Sequence, residues 1–499
     1  MTSKTPPAGP PPKKHNVMPK DKKEKIFIIF CVFCIACGAV LRFIHKVPLS
    51  FDEAFTIVTA DSGYGLKYIL KKFLVPDVHP PLFNIIMYFW NSVFPSLNEA
   101  AVRIPSLIFS FAALAAGWFY YPRGRDLAEK CIFAAFLSVS LIIVYYSAFV
   151  RSYSLVLLLS VLLTFKTLNM AGKISKGVTP SKKDFALYFI LTLLAGYTHY
   201  VGAITAGAQT LVLLGYAFSK KRGFWRIAAL YFLVVVLMAP WMYFQAKANL
   251  GNLSGAWWHT TDSTPFAVSL NNVLAAFTTG EIAGLLIWLS VLYALFLIVR
   301  RDQKALRGVF ILFPFLTLII SSGVILLLLP KINFFIDRLF TPLLPSGFLV
   351  FAFFMNYAAK KRKIFMLVNA AALCAALLYT AHSRVFEGQK EKNPKAMVNF
   401  LLDKYPSTRG ELFYAADYSP GNDGMLMIIR YYFRAAGALP ERTYNIATPA
   451  GLEEIQKRSG VTPVWVFVCV INELTARHII AQYGNACLML IPHKTPPGR

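Results

Sequence analysis

Long apolar runs separated by short polar segments follow one another from Ile26 to about Thr380. Most runs hold about 20 residues, the length that lets a helix cross a hydrocarbon core of about 30 Å. Charged residues are scarce inside the runs, whereas lysine and arginine cluster between them. The pattern predicts an all-α polytopic membrane protein.

Basic clusters orient the predicted spans, because cytoplasmic loops carry an excess of lysine and arginine. We place five clusters inside: residues 123–130, 173–183, 220–226, 300–307 and 360–363. Residues 1–25 are polar and rich in proline and lysine, so we expect a disordered cytoplasmic tail. No small-residue cleavage site follows the first apolar run, which favours a retained signal anchor.

The number of crossings between residues 44 and 123 must be odd, since the first is placed outside and the second inside. The run Leu82–Phe94 has only 13 residues before Pro95, so we predict an interfacial helix there. The first outer loop then covers residues 45–103. About 11 spans result, with 12 or 13 as alternatives: residues 26–44, 104–121, 131–148, 152–170, 185–199, 201–219, 227–244, 283–299, 308–329, 338–358 and 364–381.

Residues 383–499 have a different pattern, in which short strand-like runs alternate with helical stretches. The predicted strands are Leu412–Ala415, Val464–Ile471 and Leu488–Ile491, and the predicted helices are Asn393–Lys404, Met425–Ala436, Leu452–Lys457 and Glu473–Tyr483. We therefore predict three units: the tail 1–25, a transmembrane domain 26–382, and a small C-terminal α/β extracytoplasmic domain 383–499.

Composition supports the membrane assignment. Of 499 residues, 57% are hydrophobic and 15% charged, where a soluble domain carries about 25% charged residues. The net charge of +27 first suggests nucleic-acid binding. Because the basic residues follow the inside loops, the expected partners are membrane lipids and no nucleic acid.

Seven cysteines form no disulfide framework, and Cys31, Cys34 and Cys37 are expected to pack rather than bind metal.

Two adjacent carboxylates, Asp52 and Glu53, follow the first span at the outer membrane surface. The chain has only 24 acidic residues, and a pair in this position is unusual. A carboxylate there can take a proton from an acceptor hydroxyl or amine; a solvated loop carboxylate is the alternative.

His79 lies 27 residues after Asp52, where Pro80 and Pro81 can open the interfacial helix. Its imidazole either contacts a phosphate or is incidental to a helix-initiating turn.

Three arginines lie at apolar boundaries that the predicted topology places outside. Arg103 heads a predicted span, Arg151 lies between two spans, and Arg338 begins another. Outward cations run against the positive-inside bias, and an anionic lipid phosphate explains them. Snorkelling at the interface is the alternative for any one of them. It accounts less well for three arginines near one carboxylate pair.

Two further segments fall on the outer side. His199 lies at a span end. It either lines a cavity or is an interfacial histidine with its hydrogen bonds satisfied, and the two interpretations are equally good. Trp257-Trp258-His259 lies in the long outer loop 245–282 and suits either a lid or an aromatic belt.

The segments described above resemble, in their order along the chain, the integral-membrane GT-C glycosyltransferases. The similarity points to the branch of the protein mannosyltransferases and the lipid A aminoarabinose transferases, and covers residues 26–385. The matching segments are Asp52-Glu53, His79-Pro80-Pro81-Leu82, Arg103-Ile104-Pro105-Ser106, Tyr145-Tyr146-Ser147 and Arg151-Ser152-Tyr153-Ser154.

The resemblance implies that Asp52 is the catalytic base, with Glu53 beside it in the same motif. It implies that His79 contacts the donor phosphate and that Arg151 and Arg338 lie near the carrier phosphate. The expected substrate-binding set is completed by Arg103, Tyr146, Tyr153 and His199. The aminoarabinose branch has a lysine at the position of His79, so the donor sugar stays open.

The expected activity is transfer of a sugar from a polyprenyl-phosphate carrier to a lipid, glycan or protein acceptor, with inversion at the anomeric carbon. The expected place is the outer face of the inner (plasma) membrane, with a cytoplasmic N-terminus. The alternative is a secondary transporter or a lipid or oligosaccharide flippase. Transporters place ionisable residues at mid-membrane, whereas here they cluster at one face, which favours an enzyme. No spacing compels a metal site, so the use of a divalent cation stays open, as does a Cys469–Cys487 pair.

Overall fold

The computed structural model describes most of the membrane domain and parts of the C-terminal segment. The described residues are 21–44, 49–77, 79–96, 98–122, 125–249, 277–303, 306, 308–332, 337–386, 395, 398–399, 402–403, 411–415, 431–436, 442–446, 464–468, 479–483 and 486–491. Residues 1–20 of the predicted tail, Trp257-Trp258-His259, the predicted helix Leu452–Lys457 and Cys469 lie outside them.

Fifteen helices can be followed along the described chain. They are α1 (Lys22–Leu41), α2 (Phe51–Thr59), α3 (Leu66–Ile69, continued by a π turn over Leu70–Leu74), α4 (Leu82–Val93), α5 (Glu99–Phe119), α6 (Leu127–Val139), α7 (Leu141–Tyr145), α8 (Tyr153–Ser175), α9 (Lys182–Thr198), α10 (Tyr200–Ser219), α11 (Phe224–Asn249), α12 (Glu281–Arg301), α13 (Val309–Ile332), α14 (Leu344–Lys361) and α15 (Ile364–Phe386).

Within the described ranges, nine helices are long and apolar enough to cross a membrane: α1, α5, α8 and α10 to α15. α6 and α7 add a tenth span when counted as one, with a 50° bend between them. α9 has 17 residues, the lower limit for a crossing. It returns the chain to the side where α8 began, since His199 at its C-terminus packs against Tyr153. The described residues thus contain nine or ten helices that qualify as spans, against eleven predicted, and the all-α polytopic prediction is confirmed.

The bend between α6 and α7 falls at Ser140, so the span predicted over residues 131–148 consists of two helices. The last carbonyl groups of a helix lack partners within it, and here side chains supply them. Buried Arg42 donates to the carbonyls of Leu137 at 2.7 Å and Ser138 at 3.0 Å, and Thr380 donates to that of Val139 at 2.8 Å. The end of α6, where the bend begins, is therefore tied to α1 through Arg42 and to α15 through Thr380.

α2 begins at a capping box in the segment that the sequence predicts as the first outer loop. The N–H of Ser50 donates to the Glu53 carboxylate at 2.9 Å, and the Ser50 hydroxyl accepts from the Glu53 N–H at 3.3 Å. Negative charge is favourable in the first turn of a helix, where both Asp52 and Glu53 lie. Successive residues point about 100° apart around a helix, so the two carboxylates face different neighbours.

The C-terminal segment contains a mixed five-stranded sheet in the order β2-β1-β3-β5-β4. Its strands are β1 (Glu411–Ala415), β2 (Arg442–Ile446), β3 (Val464–Val468), β4 (Ile479–Tyr483) and β5 (Ala486–Ile491). β1 is parallel to β2 and β3, and β5 is antiparallel to β3 and β4.

The three predicted strands coincide with β1, β3 and β5, whereas β2 was not predicted. The helix predicted over Glu473–Tyr483 is wrong at its end, where Ile479–Tyr483 is strand β4. Only Gly484 and Asn485 separate β4 from β5, a hairpin signal that the helical interpretation overlooked.

Candidate active site

Asp52 lies between two arginines that come from distant parts of the chain. Its Oδ2 is 3.1 Å from Nη2 of Arg338, and its Oδ1 is 4.0 Å from Nη2 of Arg151. About a quarter of the Asp52 side chain is exposed, at 23%, so a substrate can reach it. The arrangement places an accessible carboxylate beside two positive charges.

Arg151 is buried and fixed by neutral partners as well as by charge. Nη1 donates to the Thr56 hydroxyl at 3.2 Å, and Nη2 donates to Nδ1 of His79 at 3.1 Å. A guanidinium has no acceptor, so Arg151 is the donor in this contact. Asp77 is 3.3 Å from the same Nδ1. Asp52 and Asp77 together balance the charges of Arg151 and Arg338.

Two tyrosines form the wall beside Arg338. The Arg338 guanidinium lies over the ring of Tyr153, 5.6 Å from its centroid, and is hydrogen-bonded to the side chain of Tyr146. The two rings pack at 4.9 Å between centroids. The Ser154 hydroxyl contacts the Tyr146 and Ser147 carbonyls at 3.0 and 3.1 Å, which holds the 3₁₀ turn that presents Tyr146.

His199 faces His79 across the same space, with 5.8 Å between ring centroids. Its Nδ1 accepts the Val201 N–H at 3.1 Å and so caps α10, which leaves the proton on Nε2. Nε2 is buried and has no hydrogen-bond partner among the described residues. Burial, together with the charges of His79, Arg151 and Arg338, lowers the pKa of His199 to about 3. The ring is therefore neutral and offers one N–H donor.

Glu53 and Arg103 form a separate ion pair on the opposite side of α2. Oε1 of Glu53 is 3.3 Å from Nη2 of Arg103 and accepts the Val150 N–H at 3.2 Å. Only 1% of the Glu53 side chain is exposed, and burial raises the pKa of its carboxyl while the N–H groups of Ser50 and Val150 oppose that rise. Arg103 therefore contacts Glu53 instead of joining Arg151 and Arg338, and Glu53 holds α2 in place rather than facing the Asp52 side.

Sequence reasoning missed Gln245, whose amide donates to the main-chain carbonyls of Asp77 and His79 at 2.6 and 2.8 Å. A polar residue near the end of an apolar helix was the only signal in the sequence. It also missed Arg384, which lies buried at the end of α15, 5.6 Å from the centroid of the Tyr145 ring.

No three His, Cys, Asp or Glu side chains come together as metal ligands in the part of the chain that the structure describes. Cys31 and Cys34 are buried in the apolar core, which agrees with the packing role expected for them. Asp52 contacts Arg338 and Asp77 contacts His79, and we assign no step to a metal.

No protein-family model matches the sequence, and no curated protein matches it. Solved structures do. ArnT from Cupriavidus metallidurans in the apo state has a TM-score of 0.59 at 11% identity, covering 96% of this chain and 100% of that one. The same protein bound to undecaprenyl phosphate gives 0.57 at 12%, with the same coverage. The Archaeoglobus fulgidus oligosaccharyltransferase with Zn and sulfate gives 0.52 at 12%, covering 88% of this chain and 67% of that one. The chain has the GT-C glycosyltransferase fold.

Proposed function

We propose that the chain is a membrane glycosyltransferase that moves a sugar from a polyprenyl-phosphate donor to an acceptor, with inversion at the anomeric carbon. The observation that carries the proposal is the accessible Asp52 carboxylate between Arg338 and Arg151. A base beside two fixed cations suits a reaction that removes a proton from one reactant and stabilises negative charge on the other. The fold shared with ArnT supports it, and the structure of ArnT with undecaprenyl phosphate suggests the donor class.

The step is a single displacement. Asp52 accepts the proton of an acceptor hydroxyl or amine, whose lone pair forms the new bond to the anomeric carbon. The bond from that carbon to the phosphate oxygen breaks, and its electrons leave with the polyprenyl phosphate. Arg151 and Arg338 stabilise this leaving group by charge-assisted hydrogen bonds.

The two histidines extend the same binding site. Nδ1 of His199 accepts the Val201 N–H, so the proton of the neutral His199 ring lies on Nε2. His199 therefore offers one hydrogen-bond donor without adding charge, which suits the oxygens of a phosphate or a sugar. His79 faces the same space, and its Nδ1 contacts Arg151. Arg338 packs over the Tyr153 ring and is hydrogen-bonded to the side chain of Tyr146, and both contacts help to hold its guanidinium in place.

Arg338→Gln should weaken the binding of undecaprenyl phosphate by about tenfold or more, because one charge-assisted contact is lost. Arg338→Lys, which keeps the charge but not the two-pronged geometry, should restore part of the affinity. The dissociation constant in detergent solution measures both.

Arg434→Gln is the matched control for this experiment. Arg434 also pairs with a carboxylate, Asp61, at 3.1 Å, but its side chain is 55% exposed. Its substitution should leave the dissociation constant unchanged. Equal affinities of the wild type and Arg338→Gln would remove Arg338 from the binding site.

We further propose that the active-site side faces outward at the inner membrane, with the N-terminus cytoplasmic and the C-terminal domain outside. Ser62→Cys before α3 and Ser219→Cys at the end of α10 are exposed positions at opposite ends of the bundle. In right-side-out vesicles, a membrane-impermeant maleimide should label the first and spare the second, and inside-out vesicles should reverse the result. Labelling of Ser219→Cys alone in right-side-out vesicles would invert the topology.

A further inference from the structure

One buried amide, that of Gln245, joins the last turns of α11 to the loop that carries His79. Its Nε2 lies 2.6 Å from the Asp77 carbonyl, 2.8 Å from the His79 carbonyl and 3.2 Å from the Leu74 carbonyl. An amide nitrogen has two N–H groups, so the two short contacts use both of them. Gln245 is 5% exposed, and the carbonyls it serves would be costly to leave unpaired.

Two residues of the loop cannot donate a main-chain hydrogen bond. Pro80 and Pro81 follow His79 and have no N–H to donate. The conformation of the His79 main chain therefore depends on a donor from elsewhere, and α11 supplies it. Arg151 contacts the imidazole at Nδ1, so the side chain of His79 is held from the turn before α8 and its main chain from α11.

The other end of the amide determines its orientation. Oε1 of Gln245 accepts a hydrogen bond from the Tyr200 hydroxyl, and Tyr200 directly follows His199 at the start of α10. Gln245 thus links the His79 loop to the segment that carries the second histidine, and the two rings stand 5.8 Å apart.

We propose that Gln245 is a positioning residue that sets the place of His79, and its distance from His199, for contact with the carrier phosphate. The proposal rests on the function proposed above. It assigns to α11 an indirect role in donor binding, through the main chain of His79.

Gln245→Met keeps the volume of the side chain and removes both donors. It should weaken the binding of undecaprenyl phosphate by roughly three- to tenfold, the effect of about one hydrogen bond. Gln209→Met is the matched control, since Gln209 is also a buried amide but bonds to Thr164 and Thr167. Its substitution should lower the melting temperature without changing the dissociation constant.

A double variant separates positioning from general loosening of the fold. If Gln245 acts through His79, undecaprenyl phosphate should bind His79→Ala and His79→Ala/Gln245→Met equally well. Independent effects that multiply would overturn the proposal. Should Gln245→Met fail to fold, Tyr200→Phe is tested instead, because it keeps the amide but removes the hydrogen bond that orients it. An unchanged dissociation constant in Tyr200→Phe would overturn the proposal.

The outcomes also distinguish this inference from the function on which it rests. Wild-type affinity in His79→Ala would remove His79 from the proposed phosphate site. Reduced affinity in His79→Ala with wild-type affinity in Gln245→Met would leave that site intact and overturn only the positioning role.

Discussion

Asp52→Asn should lower turnover by about 10²–10⁴-fold, the usual contribution of a general base. Asparagine keeps the size of the side chain but cannot accept the acceptor's proton. Because the substitution also releases Arg338, now 3.1 Å from the carboxylate, undecaprenyl phosphate should bind at least as well as before. Turnover is measured as release of carrier phosphate from a panel of undecaprenyl-phosphate hexoses and pentoses, with membrane extracts as the acceptor source.

Asp61→Asn provides the same chemical change in the same outer loop. Asp61 pairs with Arg434 and lies just after α2, so its loss should leave turnover unaltered. Wild-type turnover in Asp52→Asn, with both proteins folded, would discard the base mechanism and favour the transporter or flippase alternative.

Glu53→Ala should lower the free energy of unfolding by about 3–5 kcal/mol, the cost of removing one partner of a buried ion pair. Arg103, only 5% exposed, would lose the carboxylate 3.3 Å away, and the Val150 N–H would lose its acceptor. Thermal unfolding in detergent measures the effect. The Glu53→Ala/Arg103→Leu variant should be more stable than the sum of the single losses, because neither charge is then left unpaired.

Glu99→Ala serves as the comparison, since Glu99 approaches the same arginine at 4.0 Å but from a more exposed position. Its loss should cost less than about 1 kcal/mol. A similarly small effect of Glu53→Ala would show that Glu53 does not hold α2, and a specific loss of turnover without loss of stability would return it to a catalytic role.

Asp52, Arg151 and Arg338 were predictable because a charge at the edge of an apolar run is visible in the sequence itself. Their mutual contact was not, since it depends on how helices far apart in the chain pack together. The roles of Asp52 and Glu53 could not be separated from their adjacency alone. That separation follows from the first turn of α2, which turns one carboxylate toward Arg338 and the other toward Arg103.

Gln245 and the bend at Ser140 escaped prediction for a common reason. Both depend on hydrogen bonds between side chains and main-chain carbonyls that lie far apart in the sequence: 168 residues for Gln245 and Asp77, and 241 for Thr380 and Val139. No proline or glycine marks the bend in Leu137-Ser138-Val139-Ser140. Membrane spans can be predicted from a single sequence because they are runs of consecutive apolar residues. These contacts form only when the helices pack together.

The hydrogen bonds from Arg42 to main-chain carbonyls bear on the order in which the helices of the bundle come together. Its acceptor at Leu137 lies 95 residues further along the chain. At about 5–20 residues per second of synthesis, roughly 5–20 s pass before that acceptor exists. Until then the guanidinium has only the Gly38 carbonyl of α1 and, once α5 has been made, the Ser110 hydroxyl as partners, and a buried charge without its full set of partners is costly. α1 therefore gains its complete contacts at Arg42 only after α6 has been synthesised.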